Sequence, residues 1–494
     1  MTPAARRRVW WCAFLALYTL EQALLLWLYW GHGAKTLAGD EVIYSGWARH
    51  APELAAFADS YLWPPLQAWF LRVLDVNVAL VQLVQTAMLV ACAGFLRALW
   101  LACDGRRRAA NLAAALFLLN PSTAAYAHWL WPEVVHLFLM LAALWLLSLK
   151  PSPPGSPGGE GWVRGLRLVL PRDRGSAQRH PLTPSLSPNA VGGEGVAALR
   201  SIAGFIAGIA TGLALLAKSL LTPFWPLFAL LLVRGERPRF DWRVAALFAV
   251  GVLATIAVPL ARGWQATGKP MVADSSAFNI VGGLSDRWRS DYVADSVGPM
   301  LGEWFAAGAT PAERNAAFLE RARHIVDERG VVETVESQLG RQYFRLFNAK
   351  TLLVSQLPGP ACVGHMSVYH DPAPALAATL VAWNDLAHAL MLVTFAFGLA
   401  LWRRWREPLP WLALAFFAYQ IALYLPLHVK ARFLLPMTPF LCAFGASFLA
   451  SLARPRDDAA VVLRGHWRWF AGGVLALLLF LLAFAAPWLD RSCG

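Results

Sequence analysis

The sequence predicts an all-α, polytopic membrane protein, and three observations carry that prediction. Of 494 residues, 58% are apolar and only 15% charged, where a soluble chain carries about 25% charge. Apolar runs long enough to cross a hydrocarbon core, which takes about 20 helical residues, recur along the whole chain. The basic residues gather in alternate loops between those runs, as they do when they orient a membrane protein. This pattern excludes an ordinary soluble enzyme, a disordered chain and a typical nucleic-acid binder. The net charge of +13 is therefore read as a membrane signal, and no nucleic acid is expected as a partner.

The runs fall at 10–30, 78–101, 109–126, 133–149, 199–216, 219–233, 244–263, 376–401, 408–426, 433–453 and 469–488, which makes eleven expected spans. The first is too long to be a removed signal peptide and lacks a small-residue cleavage site. Arg6–Arg8, Arg97, Arg106–Arg108, Arg234, Arg237, Arg239, Arg243, Arg403, Arg404, Arg406, Arg454, Arg456, Arg464 and Arg468 fall on one side of the resulting zigzag. Positive-inside then puts the N-terminus in the cytoplasm, and an odd span count puts the C-terminus outside. Aromatic residues at span ends (Trp27, Tyr29, Trp30, Trp129, Trp131) are expected as interface anchors. The six cysteines are scattered without a metal-binding or disulfide spacing.

Five regions follow. Residues 1–150 form an N-terminal membrane module with an acidic outer loop. Residues 151–198 form a cytoplasmic insertion; its stretch 151–195 holds 8 Pro and 9 Gly, a composition that cannot bury a core. Residues 199–263 carry spans five to seven. Residues 264–375 form a large extracytoplasmic helical loop domain, and residues 376–494 carry the last four spans. In the loop domain, Thr310-Pro-Ala-Glu313 reads as a capping box with Pro at the first helical position. Phe318, Leu319, Ala322, Ile325 and Val326 then form one apolar stripe. Val332, Val335, Leu339, Tyr343, Leu346 and Phe347 form another. Each stripe needs a surface to lie on.

Charge at the lip of a membrane protein is costly, so it marks a pathway or a site. The expected outer mouth collects an unusual set. The first outer loop carries Gly39-Asp40-Glu41-Val-Ile-Tyr44. The next outer hairpin carries Asn120-Pro121, then His128-Trp-Leu-Trp-Pro-Glu133. A third brings Lys218, and a fourth brings His428-Val-Lys430-Ala-Arg432-Phe433. Carboxylates come from two hairpins and cations from two others. A carboxylate at a lipid–water boundary can serve as general base toward a hydroxyl. Cations beside it can hold a phosphate and stabilise charge as it leaves. Each residue also has a plainer role open to it: Asp40, Glu41 and Glu133 as first-turn helix acids, Lys218 as a snorkelling lysine. Glu21 lies within the first span with no obvious partner.

Taken together, these residues resemble the integral-membrane glycosyltransferases of the GT-C superfamily. The nearest branch is the bacterial group similar to protein O-mannosyltransferases, the aminoarabinose transferase of lipid A and the Rgt-type lipopolysaccharide sugar transferases. Asp40-Glu41 with Tyr44 is similar to the family's acidic motif after span one. Tyr61-Leu-Trp-Pro-Pro-Leu66 resembles its substrate-side Pro-Pro segment. Asn120-Pro121 followed by Glu133 resembles the second acidic site, although Glu133 stands where an Asp is usual. Leu215-Leu-Ala-Lys218 resembles the lysine at a span's outer end. Lys430-Ala-Arg432-Phe433 with Pro436 and Pro439 resembles the late basic segment.

The resemblance implies a GT-C-like bundle that takes a sugar from a polyprenyl-phosphate donor at the outer face of the bacterial inner membrane. It implies transfer to a lipid, glycan or protein acceptor with inversion. By the same resemblance, Asp40 is the base. Glu41 orients it, binds sugar or helps hold a divalent ion in members that use one, and the need for a metal stays open. Glu133, Tyr44 and Tyr61 contact substrate, while Lys218, Lys430 and Arg432 clamp the phosphate. A transporter or flippase of lipid-linked sugars is the alternative, and a non-catalytic membrane scaffold a third reading. Against transport, the halves show no inverted repeat and no paired broken helices.

Overall fold

The computed structural model describes residues 3–30, 37, 40–50, 62–149, 189–234, 239–273, 275–285, 297–341, 343–349, 374–453 and 466–485. Among them every regular element is helical, apart from one antiparallel pairing of Val233–Arg234 with Arg239–Phe240. The first helices are α1 (Pro3–Trp30), α2 (Asp40–Arg49), α3 (Leu66–Val73), α4 (Val78–Asp104), α5 (Arg107–Leu118), α6 (Pro121–Ala125), α7 (Glu133–Ser148) and α8 (Asn189–Ala217). There follow α9 (Trp242–Thr267), α10 (Ser276–Leu284), α11 (Val297–Ala306), α12 (Pro311–Arg329) and α13 (Val331–Arg341). The chain ends with α14 (Pro374–Ala400), α15 (Pro408–Tyr424), α16 (Thr438–Leu452) and α17 (His466–Phe480).

Five of these are long and apolar enough to cross a bilayer: α4, α8 from Ala198, α9, α14 from Ala378, and α17 with its continuation. Pro121–His128 with Glu133–Ser148 makes a sixth if this pair, bent by 113°, is one span. Of the other apolar runs, 10–30 lies within the 28-residue α1; the rest are helical but shorter, and proline explains most of the shortfall. Asn120 ends α5 after 12 residues and caps α6 by accepting the Thr123 N–H, with Pro121 at the first position of α6. Pro223 and Pro226 withdraw two N–H donors from 219–233, which folds as the 3₁₀ segments Ser219–Leu221 and Trp225–Leu232. The α8 helix also begins at Asn189, inside the stretch expected to be an insertion through 198.

Helix α8 packs closely along α9 because glycines meet there. A Cβ on Gly208 would run into the Phe248 carbonyl, and one on Gly251 into that of Phe205. Further along the chain, α14 packs on both α16 and α17, and α5 on α4 and α16. Outward, α9 exposes Val250, Leu253, Val258 and Trp264, and α17 exposes Val474, Leu477, Leu478 and Phe480. Water penalises such faces and a lipid phase does not. At the C-terminal end of α4, Arg106 grips Asp104 through two bonds of 2.7 and 2.8 Å. Ser447 of α16 donates to the same carboxylate at 2.5 Å.

A second apolar core lies in the long segment before α14. It unites Leu62 with Phe278, Val281, Met300, Trp304, Phe318 and Ala322. The Thr310–Glu313 capping box is formed as expected. On α13 the outcome differs from the stripe reading: Thr334 and Gln338 face inward, while Val331, Val332, Val335 and Leu339 are exposed.

Candidate functional site

The site is built on a broken stretch of chain. Between α6 and α7 the chain leaves α-helical geometry, first as the 3₁₀ turn Tyr126–His128 and then as irregular backbone through Trp131, so these buried backbone groups need partners within the protein. Buried glutamines provide them. Gln85 of α4 donates to the carbonyls of Ala127 and Trp129 at 2.9 and 2.7 Å. Gln82 donates to that of His128 at 3.2 Å, and Gln67 of α3 to that of Leu130 at 3.0 Å. Glu41, fully buried on α2, accepts the Leu130 N–H at 2.8 Å. A second irregular turn follows α8. Its end is held by His136 Nδ1, which donates to the Ala214 carbonyl at 3.0 Å, and by Tyr419, whose hydroxyl donates to the Leu220 carbonyl at 2.5 Å.

These fastenings bring four charges from four separate segments into one chain of contacts. Asp40, the first residue of α2, faces Arg432 with Oδ2 2.7 Å from Nη2. Arg432 lies between two carboxylates, its Nε 3.6 Å from Glu133 Oε1. The same Glu133 oxygen meets Lys218 Nζ at 3.3 Å. The order is acid, base, acid, base, and the formal charges cancel. Glu133 is 3% exposed and Arg432 18%, whereas the Asp40 side chain keeps 33% of its surface open. Asp40 is thus the end of the chain that an incoming molecule meets.

Aromatic rings wall the cations. The Arg432 guanidinium lies 4.9 Å from the Trp131 ring, and Lys218 lies 4.9 Å from the Phe433 ring. Phe433 stacks on Tyr424 at 4.9 Å. Such contacts favour a desolvated cation. Burial alone raises the Asp40 carboxyl, but Arg432, Lys430 and Lys218 together outweigh it and hold it below the usual carboxylate range. Burial pulls the Lys218 ammonium below an ordinary lysine, against the attraction of Glu133. His428 is pushed well below the usual imidazole value by burial and by Lys430, Arg432, Arg345 and Lys218; it stands as a neutral ring beside Phe433.

The residues singled out from sequence separate into three groups. Asp40, Glu133, Lys218 and Arg432 meet directly. Lys430 and Tyr44 border them: Lys430 pulls on Asp40, and the charges of Asp40, Glu133 and Arg432 act on the buried Tyr44 hydroxyl. Glu41 instead fastens the Leu130 turn. Tyr61 lies outside the described residues. No protein-family model, no curated protein and no solved structure matches this chain. The reading therefore rests on the residues themselves.

Trp129 and Trp131 overturn one expectation. They are 0% and 6% exposed and stack on each other at 4.3 Å, so they are core and site residues here, not interface anchors. Trp27, by contrast, stays 51% exposed. His428 and Trp131 lie in the segments already singled out around Arg432 and Glu133, but nothing in the sequence assigns them to the site; Tyr424, within the preceding apolar run, carries no signal of its own. Among the described residues no three His, Cys, Asp or Glu side chains gather as a metal would require. Asp40 and Glu133 already face cations, so this donor set does not fit a divalent ion, and no step is drawn through one.

Proposed function

We propose that this chain is a GT-C-type membrane glycosyltransferase. On this reading it takes a sugar from a polyprenyl-phosphate donor at the outer face of a bacterial inner membrane, with an eleven-span arrangement, a cytoplasmic N-terminus and an outer loop domain over the site. The acceptor is a lipid, glycan or protein hydroxyl. The observation that carries the reading is the meeting of Asp40, Glu133, Lys218 and Arg432, contributed by four distant segments, at the end of α4 remote from Arg106. Gln85 of α4 fastens the turn beside this cluster, and Gln85 and Asp104 lie about 30 Å apart at helical rise, a span comparable to a hydrocarbon core.

In the proposed reaction the donor's tail lies in the bilayer and its phosphate takes the place of Asp40 on Arg432 and draws close to Lys218, with Lys430 adding positive potential. Arg432 offers a planar fork suited to phosphate oxygens. The acceptor hydroxyl gives its proton to Asp40, and its oxygen bonds to the anomeric carbon from the face opposite the phosphate. The carbon–oxygen bond to phosphate breaks, and the cations stabilise the charge left on it. One in-line displacement inverts the anomeric centre, and no covalent intermediate is needed. Glu133 holds Lys218 and Arg432 in place, and Tyr44, buried beside them, contacts the substrate.

The test is mass analysis of products from vesicles containing the protein, a polyprenyl-phosphate sugar and a membrane glycolipid. A new glycosidic product that disappears in Asp40→Asn is expected. One observation favours the transport alternative: Glu21 is 4% exposed, and among the described residues neither of its carboxylate oxygens has a hydrogen-bond partner. Movement of a labelled sugar-lipid across the vesicle, with no new glycosidic bond, would replace the transferase reading with that one.

A further inference from the structure

We infer that the Asp40–Arg432 ion pair is a switch thrown by the donor: a lipid-linked phosphodiester takes Arg432 from Asp40, and the released carboxylate then serves as the base. The inference rests on the transferase reading above and concerns the same site.

Three features of the cluster lead to it. First, Asp40 as it stands is a poor base, because its nearest neighbour is a guanidinium at 2.7 Å and a carboxylate so paired gives up its affinity for protons. Second, the pairing around Arg432 is unfinished. Among the described residues its Nε is buried without a hydrogen-bond partner, and so is Glu133 Oε2. Arg432 can therefore tighten onto Glu133 while its outer Nη atoms turn to a phosphate. Buried charge is costly to leave unpaired, so Arg432 leaves Asp40 only when another anion arrives. Third, Trp131 lies beside the guanidinium at 4.9 Å and supports it in either pairing.

The groups facing Asp40 come from every wall. Tyr44 lies on its own helix, Glu133 on α7, and Lys218 after α8. Lys430 and Arg432 belong to the turn before α16, and His428 with Arg345 stands behind them. Once the phosphate occupies Arg432, Asp40 loses its nearest cation and gains a neighbouring anion. Both changes raise its proton affinity. The acceptor proton then passes to Asp40 as the acceptor oxygen bonds to the anomeric carbon, and the phosphate departs with the electron pair of the broken bond. Donor binding thereby precedes activation of the acceptor.

The test uses the full-length protein in lipid nanodiscs and farnesyl methyl phosphate, a phosphodiester with no titrating proton of its own near neutral pH. Binding is followed by calorimetry at pH 4.5 in two buffers of different ionisation enthalpy. Wild type is expected to take up a fraction of a proton on binding. Asp40→Asn is expected to take up none and to bind about fivefold tighter, the equivalent of one partly exposed ion pair. Binding without proton uptake, or with uptake unchanged in Asp40→Asn, overturns the switch and leaves the transferase reading standing. No binding by either protein overturns the phosphate clamp and the switch with it.

Discussion

Glu41 accepts the Leu130 N–H at 2.8 Å, while its neighbour Asp40 faces Arg432 at 2.7 Å. Adjacent carboxylates on one helix turn thus have different work. Glu41 is fully buried, and its partner amide lies in the irregular stretch that presents Trp131 and Glu133. Replacing it with alanine strands that amide, at a cost of roughly 2–3 kcal/mol for a buried bond to a charged group. Glu41→Ala is therefore expected to unfold at a lower temperature in detergent. Glu41→Gln keeps an acceptor oxygen and is expected to recover most of the loss.

Asp40→Asn should behave in the opposite way. The amide fills the same volume, and Arg432 retains Glu133 as an anion at 3.6 Å. Thermal stability is expected to fall only by the worth of one partly exposed ion pair, at most about 1 kcal/mol. Sugar transfer should fall by about 10²–10⁴, the usual contribution of a positioned general base. A variant that folds and retains full transfer would remove Asp40 from the chemistry.

The sequence reveals the acids and bases of this site because charge beside an apolar run is rare and therefore informative. The break at Asn120-Pro121 falls inside an apolar run, 109–126, that hydropathy reads as one span, although proline and an Asn cap end one helix and start another there. The sequence also reveals the Thr310–Glu313 cap, which is a local hydrogen-bond pattern. The partition between Asp40 and Glu41 is not legible, because it depends on where a distant amide, Leu130, comes to lie. Trp131 and Tyr424 are hidden for the same reason, since an aromatic next to a span reads alike whether it anchors an interface or walls a cation. The lengths of the middle helices escape a hydropathy reading because apolar composition persists through Pro223 and Pro226 while the hydrogen-bond ladder does not.

Lys218 gives a pH signature. Its folded-state value lies below that of an ordinary lysine, with burial as the chief cause. Between the folded value and the unfolded one, near 10.4, the unfolded chain binds more protons. Stability therefore rises with pH across that window. Asp40 has the reverse sense: its contribution is whole above the unfolded value of about 3.9 and is lost as pH falls through the lower folded value. Thermal midpoints measured from pH 8 to 10.5 should climb more in wild type than in Lys218→Met. Equal slopes would show that Lys218 does not titrate as described. Transfer should meanwhile decline on the alkaline side earlier than an ordinary lysine would require, since the phosphate clamp loses a charge.

Arg432→Lys preserves charge and discards the fork. An ammonium cannot face Asp40 and Glu133 through separate nitrogens, and it forfeits the broad face that lies beside Trp131. Transfer is expected to drop about 10²-fold, the scale for losing one positioned donor to a developing anion. Binding of a lipid phosphodiester should weaken as well. Equal activity in the lysine variant would mean that Arg432 acts only as a point charge.

The far end of α4 supplies the control. Ser447 donates to Asp104 at 2.5 Å and accepts the Trp100 indole N–H at 2.8 Å, joining α4 to α16 where Arg106 also bonds Ser451 at 2.7 Å. Trp100 is completely buried, so Ser447→Ala leaves its N–H without an acceptor. The expected cost is roughly 1–3 kcal/mol, read as a lower melting temperature in detergent. Asp104 keeps both Arg106 bonds in that variant, which limits the damage to one helix contact. Gln85, which fastens the turn beside the cluster, lies about 30 Å from Asp104 along α4, so phosphodiester affinity and the proton uptake linked to it should be unchanged. If Ser447→Ala weakened binding while leaving the melting temperature intact, the two ends of the bundle would be coupled in a way that independent packing of α4 on α16 does not allow.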